Sequence, residues 1–173
     1  MSHKYIFLAL CMTSLNHFSM QASQKQSILP SDQNLEHAIN NDDSEDLTAE
    51  LAHGSSPNTK VGQVPILILA TVRGKNNAVQ TLLDYAGINK NATDPKGNTA
   101  AHWAAYTGNI AGLVYLKTLK AKLNTENDVG NNPLSIALQG TQTYSGNKDY
   151  ANCVTLLMTA MEDGDDQADE DSD

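Results

Sequence analysis

The 173-residue sequence is poor in aromatic side chains, cysteine and positive charge, and each shortage excludes a class of protein. Two Phe and one Trp are too few for an aromatic-centred barrel or sandwich, so a core of small aliphatic side chains between short helices is expected. Two cysteines cannot form a disulfide scaffold. Because 11 Lys and Arg stand against 20 Asp and Glu, nucleic acid is not an expected ligand, since phosphate binding requires an excess of cations.

The negative charge is concentrated at the C-terminus. Residues 162–173 carry eight of the nine net negative charges and no cation, which leaves a net charge of −1 for everything before them. A run of this composition repels itself and has little apolar surface to bury, so residues 161–173 are predicted to be an acidic disordered tail. The tail is interpreted either as a solubilising segment or as a docking peptide for a basic partner.

The N-terminus has the layout of a secretory signal peptide over residues 1–22. Lys4 precedes an apolar run over residues 5–12, which is long enough for the export machinery but too short to cross a bilayer. Cleavage after residue 22 is expected, and lipidation or a buried N-terminal helix are the alternatives. The pattern therefore predicts export to the periplasm or the medium, with no membrane association after cleavage. Residues 23–33 are expected to be a flexible leader.

An internal period of about 33 residues organises the central part of the chain, and a fixed period of this length indicates a repeat architecture. Four nearly equally spaced alanines anchor this period, and each has an apolar residue three positions earlier. The first three anchors also have a helix-ending residue four positions later and aliphatic residues nine to thirteen positions later. Each unit is thus predicted to be a turn, a short helix, a break and a second helix. One such hairpin cannot bury its apolar side, so neighbouring hairpins must stack. The anchors, nearly equally spaced along the chain, are Ala38, Ala70, Ala104 and Ala137.

The third unit carries a family resemblance. Residues 94–108 read Asp-Pro-Lys-Gly-Asn-Thr-Ala-Ala-His-Trp-Ala-Ala-Tyr-Thr-Gly, which is similar to the ankyrin repeat pattern Asp-x-x-Gly-x-Thr-Pro-Leu-His-x-Ala-Ala-x-x-Gly. Residues 127–137 repeat the pattern with Ser135 in place of the histidine, and residues 64–70 are a weaker version with the proline displaced by one position. Residues 34–58 look like the degenerate first repeat that caps such stacks.

The resemblance to ankyrin repeat proteins implies an all-α solenoid of helical hairpins with disordered N- and C-terminal ends. The repeat domain is expected to extend over residues 34–160. Gly97 and Gly130 stand at the same distance before the last two anchors, where a tight turn needs a positive φ. The expected units are residues 34–58, 61–91, 94–124 and 127–160.

The fourth unit departs from the period after its anchor. Cys153 follows Ala137 at a much greater separation along the chain than Leu113 follows Ala104, so the unit contains an insertion. The Gly and Asn content of residues 140–148 predicts an exposed loop. This loop is interpreted either as a binding loop, since insertions in repeat proteins often lie on the binding face, or as a tolerated surface excursion.

The sequence offers little for catalysis or for a cofactor. Neither zinc-ligand spacing of His and Cys, nor a nucleophile elbow, nor a phosphate-binding glycine loop occurs. No cofactor, no metal and no enzymatic activity are therefore expected. In the proteins that the chain resembles, the histidine at the position of His102 bonds backbone groups of the neighbouring turn, which implies a structural role here. Cys153, the only thiol after signal removal, is expected to be buried and inert.

The resemblance implies that a protein partner binds the concave strip formed by the turn tips and the first helices. Tyr106 is the foremost candidate because a rigid amphipathic side chain is a typical interface anchor. Trp103 is expected to pack between helices. The predicted function is an exported, monomeric, non-enzymatic protein-interaction module. The other candidate contacts are Arg73, Lys96, Asn98, Thr107, Val129, Asn131, Gln139 and, in the insertion, Tyr144.

Two other functions stay open at this point. A regulatory or protective accessory subunit of one specific enzyme would use the acidic tail as well as the stack. An enzyme with its site at residues 140–148 would need a titratable group of perturbed pKa in a pocket beside Tyr144.

Overall fold

The computed structural model describes the backbone of residues 30–162 and the side chains of residues 33–162. The predicted signal peptide, residues 23–29 of the leader and residues 163–173 of the acidic tail lie outside these residues. The described chain contains eight helices and one two-stranded antiparallel pairing. They are α1 Pro30–Asn41, α2 Ser44–Ala52, β1 Lys60–Val61, β2 Val64–Pro65, α3 Ile66–Val72, α4 Asn76–Asp84, α5 Ala100–Thr107, α6 Ile110–Thr118, α7 Pro133–Thr143 and α8 Lys148–Glu162.

The helices form four hairpins packed side by side, which confirms the predicted helical-hairpin solenoid. The first helices of the hairpins, α1, α3, α5 and α7, contact one another in that order. The second helices α2, α4, α6 and α8 do the same. The β pairing joins Lys60 with Pro65 and Val61 with Val64, so within residues 30–162 it is confined to the turn that precedes the second hairpin.

The core follows the period seen in the sequence. All four anchor alanines are buried, and their small side chains allow the two helices of a hairpin and the neighbouring hairpin to approach closely. Leucine, valine or cysteine fills the corresponding position of each second helix. These side chains belong to a single continuous cluster that runs through all four hairpins. The members of the second-helix row are Leu47, Val79, Leu113 and Cys153, and each has no exposed surface.

The breaks between the helices of the first three hairpins adopt the left-handed backbone conformation. Asp42, Gly74 and Gly108 have φ values of 56°, 67° and 68°, at the positions where the period predicted that the first helix ends. Glycine adopts this conformation without steric cost, whereas an aspartate does not. The Asp42 carboxylate offsets that cost by accepting the backbone N–H of Ala78 at 3.0 Å, at the start of the next hairpin's second helix.

The exposed loop predicted over residues 140–148 is shorter than expected: residues 140–143 belong to α7 and Lys148 begins α8, so only residues 144–147 form an exposed non-helical turn. Helix α7 has 11 residues where α5 has 8, and α8 has 15 where α6 has 9. The ring of Tyr150 packs directly over Gly140, so closely that a Cβ at this glycine would collide with it. An aromatic ring buried between two lengthened helices explains why a segment with loop-like composition folds as a hairpin.

The ends of the repeat domain also differ from the expected ones. Helix α1 begins at Pro30, so residues 30–33, predicted as the end of the flexible leader, are helical. Proline suits the first helical position because its missing N–H is not needed there. At the other end, α8 continues to Glu162. None of the helices within residues 30–162 combines the length and apolar character that crossing a bilayer requires.

Candidate functional site

The turns that precede α5 and α7 are built in the same way, one repeat apart. One carboxylate oxygen of Asp94 accepts the backbone N–H groups two and four residues later, at 2.8 and 3.0 Å. The side-chain oxygen of Asn127 accepts the equivalent groups at 3.2 and 3.0 Å. Gly97 and Gly130 have φ values of 74° and 80°. The predicted left-handed turn positions are therefore confirmed.

The two turns are joined to each other by hydrogen bonds. The Asn127 amide donates to Asn98 Oδ1 at 2.7 Å, and the Asp128 N–H donates to the Lys96 carbonyl at 3.1 Å. Space for this contact exists because Gly97 has no side chain: a Cβ there would lie 2.6 Å from Asp128 Oδ1 and 3.0 Å from its backbone nitrogen. The turn tips thus form one rigid edge along the third and fourth units.

Asn98, predicted as a partner contact, has a structural role in this edge. Its side-chain nitrogen donates to Asp94 Oδ2 at 3.1 Å, while its side-chain oxygen accepts from the neighbouring turn. Both ends of the amide are therefore engaged inside the protein. A partner could make van der Waals contact with the Asn98 side chain, but it could not use the groups that are already hydrogen-bonded within the protein.

His102 joins the start of α5 to the turn of the fourth unit. The Thr99 backbone N–H donates to His102 Nδ1 at 3.1 Å, so this nitrogen is an acceptor and the proton lies on Nε2. Nε2 is 3.0 Å from the carbonyl oxygen of Asn131, to which it donates. Burial lowers the pKa of His102, although the bond to Asn131 and the charge of Asp94 oppose this effect. The expected structural role of His102 is confirmed.

The Asp94 carboxylate also orients Trp103. The indole Nε1 donates to Asp94 Oδ2 at 2.9 Å. Burial alone would raise the pKa of Asp94, but hydrogen bonds from Asn98, Lys96 and the indole outweigh it and hold that pKa below its ordinary value. The rings of Trp103 and Tyr106 meet edge to face, with centroids 5.7 Å apart and an interplanar angle of 82°.

These groups border a cleft of about 290 Å³ between the third and fourth units. It brings together three of the predicted contact residues. Trp103 packs against the core as expected, and it also forms a wall of the cleft. Ile136 was missed, although the period contained the signal, since Ile136 is the counterpart of Trp103 one repeat later. The lining residues are Lys96, Asn98, His102, Trp103, Tyr106 and Ile136.

Four other predicted contacts lie outside this lining. Val129 is 78% exposed at the tip of the second turn. Thr107 and Gln139 are exposed on α5 and α7, and the Thr107 hydroxyl donates to the Trp103 carbonyl at 2.9 Å. Asn131 is exposed, but its backbone carbonyl is the acceptor for His102. These residues surround the cleft without entering it.

Arg73, also predicted as a partner contact, is engaged within the scaffold. Its guanidinium forms an ion pair with Glu36 at 2.8 Å and donates a second hydrogen bond to Asn40. Glu36 and Asn40 lie one turn apart on α1, so the planar guanidinium of Arg73 spans two acceptors on the neighbouring helix. Arg73 therefore connects the first two hairpins.

Tyr144 belongs to a second aromatic pair, here called the tyrosine buttress (Tyr144 and Tyr150). Tyr144 is 57% exposed, and its ring stacks on that of Tyr150 at 5.4 Å and 10°. Tyr150 is buried, and its hydroxyl donates to the backbone carbonyl of Tyr106 at 3.0 Å. Burial, followed by the neighbouring tyrosines, raises the pKa of Tyr150, which keeps the hydroxyl protonated as a donor. The tyrosine buttress thus supports the end of the helix that carries Tyr106.

Cys153 is a free cysteine whose thiol is shielded from solvent. Cys153 is fully buried, and burial together with the charge of Asp149 raises the pKa of its thiol to about 11. The predicted burial of Cys153 is confirmed, and a raised pKa keeps the thiol protonated near neutral pH, which agrees with the inertness predicted for it. Between residues 30 and 162, no group of three or more His, Cys, Asp or Glu side chains is placed to hold a metal ion.

Comparison with known proteins agrees with this architecture. The family model described as ankyrin repeats (3 copies) matches residues 35–127 and 67–168. A protein of Rickettsia bellii (strain RML369-C), named as an ankyrin repeat protein, is 39% identical over 59 residues. The matched segment is 34% of this chain and 33% of that relative, so the chain spans about a third of the length of the curated relative that it matches.

Proposed function

Because the chain belongs to the ankyrin repeat family, we propose that it is a non-enzymatic binding module that docks a protein partner in the cleft between its third and fourth units. Ankyrin repeats indicate a protein–protein interaction module. The observation that carries the assignment to this cleft is Tyr106, which is 61% exposed and is held against Trp103 at the mouth of the cleft. Tyr and Trp are enriched among the few residues that contribute most of the binding energy at protein interfaces.

The rigidity of the cleft supports this proposal. Every buried side-chain nitrogen and oxygen of the described residues has a hydrogen-bond partner. The polar groups beneath the aromatic pair are engaged with the two joined turns, so they need no rearrangement when a partner arrives. A preorganised surface loses little conformational entropy on binding.

The surroundings of the cleft suit a protein interface better than a small-molecule site. The turn tip with Val129 offers an exposed apolar side chain. Thr107 and Gln139 offer polar groups at the margin. An apolar centre within a polar rim is the usual anatomy of a protein interface, and the proposed contact surface therefore extends from the cleft along the turn tips.

The proposal is tested by affinity capture from the cells that make the protein. The bait is the full chain, either unchanged or carrying Tyr106→Ala or Met158→Ala. Met158 is half exposed on α8 and does not line the cleft, so it is the matched control. We expect a partner that is retained by the unchanged and Met158→Ala baits and is lost from the Tyr106→Ala bait. Equal retention by all three baits would show that binding does not use the cleft.

We also propose that the chain is exported to the periplasm or the medium. The support for this proposal is the charge and apolar pattern of residues 1–22. Mass spectrometry of the protein from fractionated cells should find a mature N-terminus at Ser23 in the exported fraction. A cytoplasmic protein that begins at residue 1 would contradict the proposal.

A further inference from the structure

We infer that the cleft recognises a short peptide segment in which a bulky apolar side chain stands next to a carboxylate. This inference rests on the proposed function, and it names the chemistry of the partner at the same site. It follows from which groups of the cleft are already engaged and which are free.

The polar groups that form the floor of the cleft, those of His102 and Asn98, are already hydrogen-bonded within the protein. Both nitrogens of His102 and both ends of the Asn98 amide are bonded to backbone or side-chain groups of the two turns. The Asp94 carboxylate behind them accepts hydrogen bonds from two backbone N–H groups, an amide and an indole. A partner therefore gains nothing from aiming polar groups at this floor.

The free surface of the cleft is mainly apolar. The edge-to-face arrangement leaves Trp103 and Tyr106 as two walls at nearly a right angle, and the side chain of Ile136 contributes from the next repeat. The volume of about 290 Å³ lies at the lower end of the range for small-molecule sites. A cleft of this size and lining favours an apolar side chain of a peptide.

Lys96 supplies the charge preference. It is exposed and is the only cation among the residues that line the cleft. Its ammonium group makes no hydrogen bond or ion pair with the part of the chain that the structure describes. An unpaired cation at the rim of an apolar cleft attracts a carboxylate and disfavours a basic segment.

The acidic tail of this chain fulfils only half of the requirement. Residues 163–173 contain carboxylates but no bulky apolar side chain. They could approach Lys96 but could not fill the space between Trp103, Tyr106 and Ile136. The occupant that matches both features is a segment of another protein.

The test is a selection of random linear peptides displayed on phage against the immobilised full chain. The selected sequences should be enriched in Asp or Glu beside Leu, Ile, Met, Phe or Tyr. A fluorescein-labelled consensus peptide is then titrated by fluorescence anisotropy. We expect Tyr106→Ala to weaken binding about tenfold or more, and Lys96→Glu to weaken it about fivefold to tenfold. The unchanged chain should lose affinity as salt is raised.

Two control variants test whether the effect of the charge change on peptide binding is specific to the cleft. Lys120→Glu places the same charge change in the turn after α6, outside the lining of the cleft, and Met158→Ala removes an exposed apolar side chain elsewhere. Both should bind the consensus peptide as the unchanged chain does. A peptide with Lys in place of its acidic residue should bind Lys96→Glu better than it binds the unchanged chain. This exchange of preference is not expected if Lys96→Glu merely disturbs the fold.

The outcomes distinguish the inference from the proposed function. Peptides that need Tyr106 but carry no acidic residue, or that respond equally to Lys96→Glu and Lys120→Glu, would overturn the inferred chemistry and leave the binding cleft standing. A synthetic peptide of residues 163–173 that binds as tightly as the consensus would overturn the apolar requirement. Selected peptides that all ignore Tyr106→Ala would overturn both the inference and the proposed site.

Discussion

At the scale of single residues, His102 shows how one side chain can specify the contact between two repeats. Its ring accepts from Thr99 within its own repeat and donates to Asn131 in the next. The bond from Thr99 requires the neutral imidazole, in which Nδ1 is unprotonated and the proton lies on Nε2. Protonation would turn the acceptor nitrogen into a second donor facing a backbone N–H, so the charged form does not fit this site.

The stability of the protein should therefore decrease below about pH 6.5. The pKa of His102 is lowered in the folded protein, so the unfolded chain binds the proton more readily. Neutral His102 contributes its full stabilisation of the folded protein at pH values above the pKa of the histidine in the unfolded chain. This stabilisation is lost as the pH falls from that value towards the lower pKa in the folded protein. Because one proton is involved, the free energy of unfolding changes by at most about 1.4 kcal/mol per pH unit.

Urea unfolding at about pH 7.5 and about pH 5.5 measures this effect. The decrease in the free energy of unfolding should be smaller for His102→Gln than for the unchanged chain. His53, which is exposed, is the matched control, and His53→Gln should keep the full decrease. An equal decrease in all three proteins would show that His102 is not the responsible group.

At the scale of elements, the turn tips depend on what packs against them. Gly97 and Gly130 occupy the same position in adjacent repeats and have similar positive φ values. The Asp128 backbone packs against Gly97, whereas nothing in the described chain lies within 4 Å of a Cβ at Gly130. The two glycines thus share one conformational requirement but differ in their surroundings.

This difference predicts unequal costs for the same substitution. Gly130→Ala should lower the free energy of unfolding by about 1 kcal/mol, because only the left-handed conformation opposes the methyl group. Gly97→Ala should cost at least about 1 kcal/mol more, because the methyl group must also displace the neighbouring turn. Urea unfolding of both variants measures the difference. Equal costs would contradict the close packing of the turn tips.

The lengthened fourth hairpin depends on Gly140 in a similar way. Helix propensity alone predicts that Gly140→Ala stabilises α7 by about 1 kcal/mol. The ring of Tyr150 occupies the space that the methyl group needs, so we expect the variant to be destabilised by about 1 to 3 kcal/mol. Gln142→Ala, at an exposed position of the same helix, should be neutral or slightly stabilising. Urea unfolding compares the two variants, and a stabilised Gly140→Ala protein would refute the packing of Tyr150 over this glycine.

At the scale of the whole molecule, a residue's environment is set by the position of its repeat in the stack. Ala105 in the third repeat and Leu138 in the fourth occupy equivalent positions relative to their anchors. Ala105 has no exposed surface, and neither have Ile39 and Thr71 at the same position of the first two repeats, whereas Leu138 in the last described repeat is 42% exposed. Within residues 30–162, the stack has one continuous core, and its last repeat carries a partly uncovered apolar side chain.

Equivalent positions should therefore respond differently to substitution. Ala105→Leu should destabilise the protein by about 1 to 3 kcal/mol, because the added side chain must separate two packed hairpins. Leu138→Ala should cost less than about 1 kcal/mol, because part of this side chain is already in water. Thermal and urea unfolding of the two variants give the comparison. A larger cost for Leu138→Ala would mean that Leu138 is covered in the protein in solution.

The sequence by itself determined the hairpins, their order and the positions of the breaks in the first three of them. Spacing along the sequence predicts the anchor alanines, the residues that follow the first helices and the turn glycines. These signals are local, because each depends on residues a few positions apart in the chain. His102 and Cys153 were assigned correct roles for related reasons: the first belongs to a local motif, and the second lies on the buried side of a periodic helix.

Only the tertiary structure decided which surface residues are free and which are engaged. Arg73 pairs with α1, Asn98 is bonded on both sides, and the ring of Tyr150 packs over Gly140. The cleft itself needs Ile136 from one repeat and Trp103 from another. Each of these features depends on contacts between side chains that are far apart in the chain, or on the packing of an aromatic ring against a glycine. Such contacts are set by how the hairpins stack, and composition and spacing do not encode them locally.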